Sequence, residues 1–104
     1  MSALKARLTE AMKDAMRAKE AARLGVIRMA LAALKQIEVD ERVELDDARV
    51  LAVLEKLIKQ RRESVAAYQS ANRADLVAQE QSEIAGLEVF LPARLPDEEV
   101  DSLI

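Results

Sequence analysis

The fold is clearest in the stretch GVIRMALAAL, residues 25–34, whose only charge is Arg28. A helix that is apolar nearly all round packs against neighbours on several sides rather than along one stripe. We therefore expect this segment to form the central helix of a helical protein. Arg28, Ala32 and Lys35 share one stripe at helical spacing, and this stripe is expected to face the solvent.

Apolar periodicity on either side of this segment predicts further helices. The four predicted helices span about residues 2–18, 20–40, 47–70 and 73–91. Ser2 is a suitable N-cap for the first helix and Asp46 for the third, because their side-chain oxygens can accept a free backbone N–H. The acidic connector EVDERVELDD joins the second helix to the third, and Pro92 ends the fourth.

A short turn is predicted between the third and fourth helices at Asn72. Asparagine tolerates the left-handed conformation that commonly ends a helix. Asn72 and Asp75 also have the spacing of a weak capping box. Either arrangement reverses the chain, so the two helices are expected to form an antiparallel hairpin.

Gly25 and Gly86 both lie inside helical patterns, where glycine costs about 1 kcal/mol relative to alanine. We expect a close approach between helices to be the reason at both positions.

The final residues, LPDEEVDSLI (95–104), have the pattern of a helix start. Pro96 suits a first helical position, and the following acidic residues suit the positive end of a helix. We expect a helical domain over residues 1–92, then a linker and the start of a further helix over 93–104. A second domain is expected to be absent.

Composition excludes several classes of chemistry. The 104 residues include no histidine and no cysteine, which rules out zinc fingers, disulfides, cysteine nucleophiles and a histidine base. With one Phe and one Tyr, the chain has no aromatic platform for stacking bases. No catalytic residues, metal site or cofactor are predicted. The longest uncharged run, residues 64–72, is too short to span a membrane. A cytoplasmic location is expected.

The stretch KQRRESVAAYQSANRADL, residues 59–76, begins with a cluster of cations and allows two interpretations. The cluster is either a solvated helix face, in which Lys59 pairs with Glu55 and Glu63 one turn away, or a surface that binds RNA phosphates. The second interpretation gains cations if helix two lies alongside. The candidate phosphate contacts are Arg28, Lys35, Lys59, Arg61 and Arg62.

Three stretches together resemble the YqeY family of small bacterial proteins, also called the GatB/YqeY-domain or Asn/Gln amidotransferase-like family. They are RLGVIRMALAALKQIEVDER (23–42), LIKQRRESVAAYQSANRADL (57–76) and EVFLPARLPDEEV (88–100). The shared features are a KQR-x-x-S-x-x-x-[YF] helix, a turn followed by Arg and Asp-Leu, and a closing [YF]-L-P-x-x-L. Two positions depart from the family pattern: Asn72 stands for glycine, and Pro96 for Ser or Thr.

The resemblance implies an antiparallel helical domain followed by a small second domain. That second domain is similar to the tRNA-engaging tail of the B subunit of tRNA-dependent amidotransferases. The family is accordingly described as a carbon–nitrogen ligase with glutamine as amide donor. This chain is expected to end before that domain begins, and alone to be non-catalytic.

We therefore predict an all-α protein, a four-helix antiparallel bundle with a fifth helix beginning at the C-terminus. One functional hypothesis is an accessory module that contacts tRNA or an amidotransferase-type complex. The alternative is a helical adaptor that binds another protein through its helix faces and has no role with RNA. No membrane association is predicted, and the oligomeric state is left open.

Overall fold

The computed structural model describes residues 2–91, and in this part of the chain the structure is entirely helical, without strands. The helices are α1 (Ala3–Ala18), α2 (Ala21–Glu41), α3 (Asp47–Ser70) and α4 (Ala74–Glu88). The predicted all-α fold with four helices is confirmed. The predicted fifth helix lies outside the described residues. Across residues 2–91, each helix is too short or too polar to cross a membrane.

The start of α1 is capped by its own Ser2 and held by α3. The Ser2 hydroxyl accepts the Lys5 N–H at 3.0 Å and donates to the Asp47 carboxylate, which also accepts the Leu4 N–H at 3.1 Å. Ser2 is buried as a result. The predicted cap at Asp46 is confirmed too, since its side chain accepts the Arg49 N–H at 2.9 Å.

The turn between α3 and α4 has the predicted chemistry. Asn72 adopts the left-handed conformation with φ 57°, and the Arg73 N–H donates to the Tyr68 carbonyl at 2.9 Å. No side-chain cap forms at the start of α4, so the turn conformation rather than a capping box reverses the chain. The end of α4 differs from the prediction by three residues. Turn hydrogen bonds replace the helix after Glu88 and bury Phe90.

Helix α2 contacts each of the other three helices, which confirms its predicted central position. The core that surrounds it is aliphatic apart from Phe90. Its most buried large side chains are Leu8, Ile27, Leu34, Leu45, Val50, Leu54 and Leu87. Leu45 comes from the acidic connector, so this connector is part of the core. The stripe of Arg28, Ala32 and Lys35 is exposed, as predicted.

The two glycines have different surroundings. A Cβ atom at Gly86 would lie 3.1 Å from Cγ1 of Val26, so α2 and α4 approach closely there, as predicted. The same prediction is wrong for Gly25, where an added Cβ would meet nothing within 4 Å. Helix packing inside the chain therefore explains Gly86 and leaves Gly25 without a packing reason.

The α3–α4 hairpin continues past the core. No side chain from residue 59 to residue 86 is buried, although Ile58 and Leu87 on either side are. We call residues 59–86 the arm. Its apolar residues, Val65, Tyr68, Leu76, Val77 and Ile84, are only half-buried. Two helices packed on each other alone cover part of an apolar seam, and the arm therefore lacks a third covering element.

Candidate binding surface

Arg61 lies on the inner side of α3 and is bound by three groups of the chain. Its Nε donates to Oε1 of Glu83 at 2.9 Å, one Nη donates to the Leu57 carbonyl at 3.3 Å, and the other donates to the Met29 sulfur. The side chain is 14% exposed and that of Glu83 is 26% exposed. Arg61 therefore links α2, α3 and α4 from a half-buried position.

Arg62, the next candidate cation, is also paired but lies in solvent. It donates to Oε2 of Glu88 at 2.8 Å, and the two side chains are 61% and 45% exposed. Such an exposed pair contributes at most about 1 kcal/mol and exchanges readily for another anion. Both arginines thus find their carboxylates on α4, 22 and 26 residues away in sequence.

Lys59, Arg28 and Lys35 are exposed on the outer faces of their helices. Within residues 2–91 none of the three forms an ion pair. The pairing of Lys59 within α3 that the spacing favoured is therefore absent among the described residues. Arg28 and Lys35 lie on α2, opposite its buried Val26 and Ile27. No described contact joins them to the α3 cations, so the structure presents two separate cationic groups.

A cleft opens between α2 and the arm. Its volume is about 460 Å³, within the range of common ligand sites. The α2 side is small and apolar, formed by Ala21, Ala22, Gly25, Val26 and Met29. The arm side is polar, with Gln79 and Ser82 beside the Arg61–Glu83 pair. We call this space the arm cleft.

Sequence reasoning missed most of the arm cleft, although one signal pointed to it. Arg61 interrupts the apolar seam of α3, and a charge at an inward position requires a partner of opposite sign. Glu83 was considered only as a possible metal ligand. The roles of Met29, Gln79 and Ser82 have no signature in the sequence.

A second group of polar contacts holds the connector and α1 at the opposite end of α2. The Glu38 carboxylate accepts Nζ of Lys5 at 2.6 Å and the Leu45 N–H at 3.0 Å. These two hydrogen bonds lower the pKa of Glu38, and the hydrogen bond from Ser2 lowers the pKa of Asp47. Lowered pKa values favour the ionised form, so both carboxylates act as hydrogen-bond acceptors that fasten the fold.

Comparison with known proteins identifies the family. The family model described as Yqey-like protein matches residues 5–104, almost the whole chain. The chain belongs to the YqeY family. The resemblance expected from the residues 23–42, 57–76 and 88–100 is thereby confirmed.

Several yeast proteins are similar to this YqeY-family chain. The protein named altered inheritance of mitochondria protein 41, mitochondrial, of Kluyveromyces lactis is 39% identical over 103 residues, which cover 95% of this chain and 55% of that protein. The protein of the same name from Eremothecium gossypii is 36% identical over 89 residues, 85% of this chain and 49% of that protein. The chain thus spans about half the length of these relatives. An uncharacterised protein of Schizosaccharomyces pombe is 28% identical over 89 residues.

The names of these relatives overturn the predicted location. Four of the similar yeast proteins are named as mitochondrial, which points to mitochondria rather than to the cytoplasm. The expectation of a bacterial protein is likewise unsupported by these relatives. Composition was a poor guide, because the lack of cysteine is compatible with any reducing compartment.

Proposed function

We propose that this YqeY-family chain is a non-catalytic helical module that contacts RNA in tRNA-dependent amide transfer. The proposal rests on one observation in the structure: Arg28, Lys35 and Lys59 are exposed and free of ion pairs with the described residues. Cations that are not engaged with carboxylates are able to displace counterions from a phosphate backbone. Arg62 adds a fourth cation if phosphate replaces Glu88.

The link to amide transfer comes from the family resemblance. The family is described as a carbon–nitrogen ligase with glutamine as amide donor, and its second domain is similar to a tail that engages tRNA. A helical module with cations on two faces suits a role in holding RNA for such a reaction. Arg61 is the weakest of the candidate contacts, because its guanidinium is 14% exposed and paired with Glu83.

The experiment is fluorescence anisotropy of labelled bulk tRNA titrated with the chain at two salt concentrations. Three phosphate contacts give an affinity that falls roughly 20- to 40-fold between about 50 and 200 mM salt. The variant R28Q/K35Q/K59Q is expected to lose most of that salt dependence.

The matched control is K13Q/R17Q/R73Q, which removes the same charge from exposed, locally paired cations. Equal effects of the two triple variants would show that net charge alone governs binding. The absence of binding at low salt would contradict the proposal.

A second candidate is a helical adaptor that binds another protein. It is favoured by a specific observation: both arginines of the cationic cluster pair with α4, while the apolar residues of the arm are half-exposed. A surface of this kind is more typical of helix packing than of phosphate binding.

A further inference from the structure

Gly25 has an energetic cost that the chain itself does not explain. Glycine inside a helix is about 1 kcal/mol less favourable than alanine. At Gly86 the closeness of Val26 accounts for the residue, but around Gly25 an added Cβ would meet nothing within 4 Å. Gly25 lines the arm cleft, on the side where the surface of α2 is open. A side chain is therefore missing at the point where another molecule can approach the α2 backbone.

The arm supplies the opposite wall of this cleft, and it is incompletely covered. None of its side chains is buried, and the apolar seam between its helices is half-exposed. An amphipathic helical surface is stabilised when a further element packs against it. The small residues of α2, Ala21, Ala22 and Gly25, permit a close helix-to-helix approach from the cleft side.

The charges of the cleft select the kind of occupant. The charged side chains that line it are Arg61 and Glu83, and they pair with each other at 2.9 Å. Gln79 and Ser82 are neutral. An anionic occupant would meet the Glu83 carboxylate, and a cationic one would meet the Arg61 guanidinium. The cleft is thus complementary to a surface without charge.

We propose that the arm cleft binds an amphipathic helix of a partner protein, which inserts an uncharged, apolar face between α2 and the arm. Apolar side chains of that helix pack over Gly25 and Val26. Arg61 contributes directional specificity, because one of its Nη groups is directed to the Met29 sulfur, a weak acceptor. A hydroxyl or carbonyl oxygen of the incoming helix is a stronger acceptor for the same N–H.

This inference goes beyond RNA contact and uses a different surface. The free cations Arg28, Lys35 and Lys59 do not line the arm cleft. RNA binding and helix binding therefore fail independently. Loss of tRNA affinity in the R28Q/K35Q/K59Q variant leaves the cleft unchanged, and a filled cleft leaves these cations exposed.

The test uses a displayed library of helical peptides with randomised faces, selected on the immobilised chain. The variant Gly25→Leu fills the cleft from the side of α2 and improves helix propensity, so the fold is retained. The matched control Ala32→Leu places the same side chain on the exposed stripe of α2. Circular dichroism and thermal melting confirm that both variants are folded.

The enriched peptides are expected to carry an uncharged apolar stripe at i, i+3, i+4 and i+7. Their affinity for G25L is expected to be at least about tenfold weaker than for wild type, a difference of about 1.4 kcal/mol. A32L is expected to bind as wild type does. Binding is expected to be insensitive to salt between about 50 and 200 mM, unlike phosphate contact.

Four results would overturn the proposal: no enrichment above a blank surface, enrichment of peptides with charged stripes, equal binding by G25L and A32L, or self-association of the wild-type chain that G25L abolishes. The last result would assign the cleft to a second copy of this chain. Steep salt dependence of peptide binding would also contradict an uncharged interface.

Discussion

Arg61 shows how a single residue can organise three helices. The spacing of Leu54, Ile58 and Val65 gives α3 an apolar inner side, and Arg61 lies within it. A guanidinium in a half-buried position is stable only when its charge is paired and its N–H groups are bonded. Glu83, the Leu57 carbonyl and Met29 meet this need, and each belongs to a different part of the surrounding surface. The residue is therefore first a structural link between α2, α3 and α4.

We expect Arg61→Met to lower the free energy of unfolding by about 1–3 kcal/mol, because Glu83 loses its counter-charge in a half-buried site. The double variant R61M/E83L is expected to recover most of this loss, since two apolar side chains replace the pair. Urea denaturation measures both. For the exposed Arg62–Glu88 pair, the same cycle is expected to give less than about 1 kcal/mol. Equal coupling energies for the two pairs would contradict the structural role of Arg61.

Glu38 makes the stability depend on pH at the other end of the molecule. Its pKa is lowered from 4.5 by the hydrogen bonds from Lys5 and Leu45 and by the charge of Lys35. A group whose pKa is lower in the folded state contributes stability above its unfolded value and loses this contribution as the pH falls. We expect the melting temperature to decrease as the pH drops below about 4.5.

The variant Glu38→Gln tests this origin. It is expected to be less stable than wild type near neutral pH and to show a shallower loss of melting temperature on acidification. Asp47 also has a lowered pKa and contributes to the same trend, so part of the dependence remains in E38Q. Identical pH profiles for wild type and E38Q would rule out Glu38 as a source.

At the scale of the helices, α2 and α4 determine the shape of the arm cleft. They touch where Gly86 meets Val26, and α2 is open at Gly25. The caps of α1 and α3 and the left-handed Asn72 are local features that follow from residue type and spacing. The approach of α2 to α4 depends on side chains that are about sixty residues apart, which no local pattern describes.

The two glycines give a matched comparison within this helix pair. Gly25→Ala is expected to raise the free energy of unfolding by about 0.5–1 kcal/mol, because the Cβ meets no neighbour and the helix gains propensity. Gly86→Ala is expected to give a smaller gain or a loss, because its Cβ would lie 3.1 Å from Val26. Thermal or urea unfolding distinguishes the two. A larger gain at Gly86 than at Gly25 would contradict the packing described for α2 and α4.

At the scale of the whole molecule, the fold divides into a core and an arm. The core gathers residues from α1, α2, the connector, the first half of α3 and the end of α4 around the aliphatic centre. The arm is held by the Arg61–Glu83 pair and by contacts between its two helices. Local opening free energies follow the amount of buried apolar contact. The arm is thus the part of the described structure with least protection.

Hydrogen exchange tests this division. Backbone amides of residues 64–82 are expected to exchange through local opening, faster than those of residues 50–58 in the same helix. The helical propensity of the two segments is similar, so the contrast isolates the effect of burial. Uniform protection along the whole of α3 would mean that the arm unfolds only with the core. A bound helix in the arm cleft is expected to slow exchange in residues 64–82 selectively.

The sequence by itself determined the all-α class, the four helices, the Ser2 and Asp46 caps, the turn at Asn72 and the central position of α2. These features depend on interactions between residues three or four apart and on the distribution of apolar residues, both of which are present in the linear chain. The family, too, was recognisable from three stretches of residues.

Only the tertiary structure decided the fate of the charged and small residues. The partners of Arg61 and Arg62 lie on α4, the open surface at Gly25 faces the arm, and Leu45 enters the core from an acidic connector. Spacing within one helix does not specify how far a second helix is rotated or shifted along it, and ion pairs between helices depend on both. For the same reason the arm cleft appears only when α2, α3 and α4 are placed together.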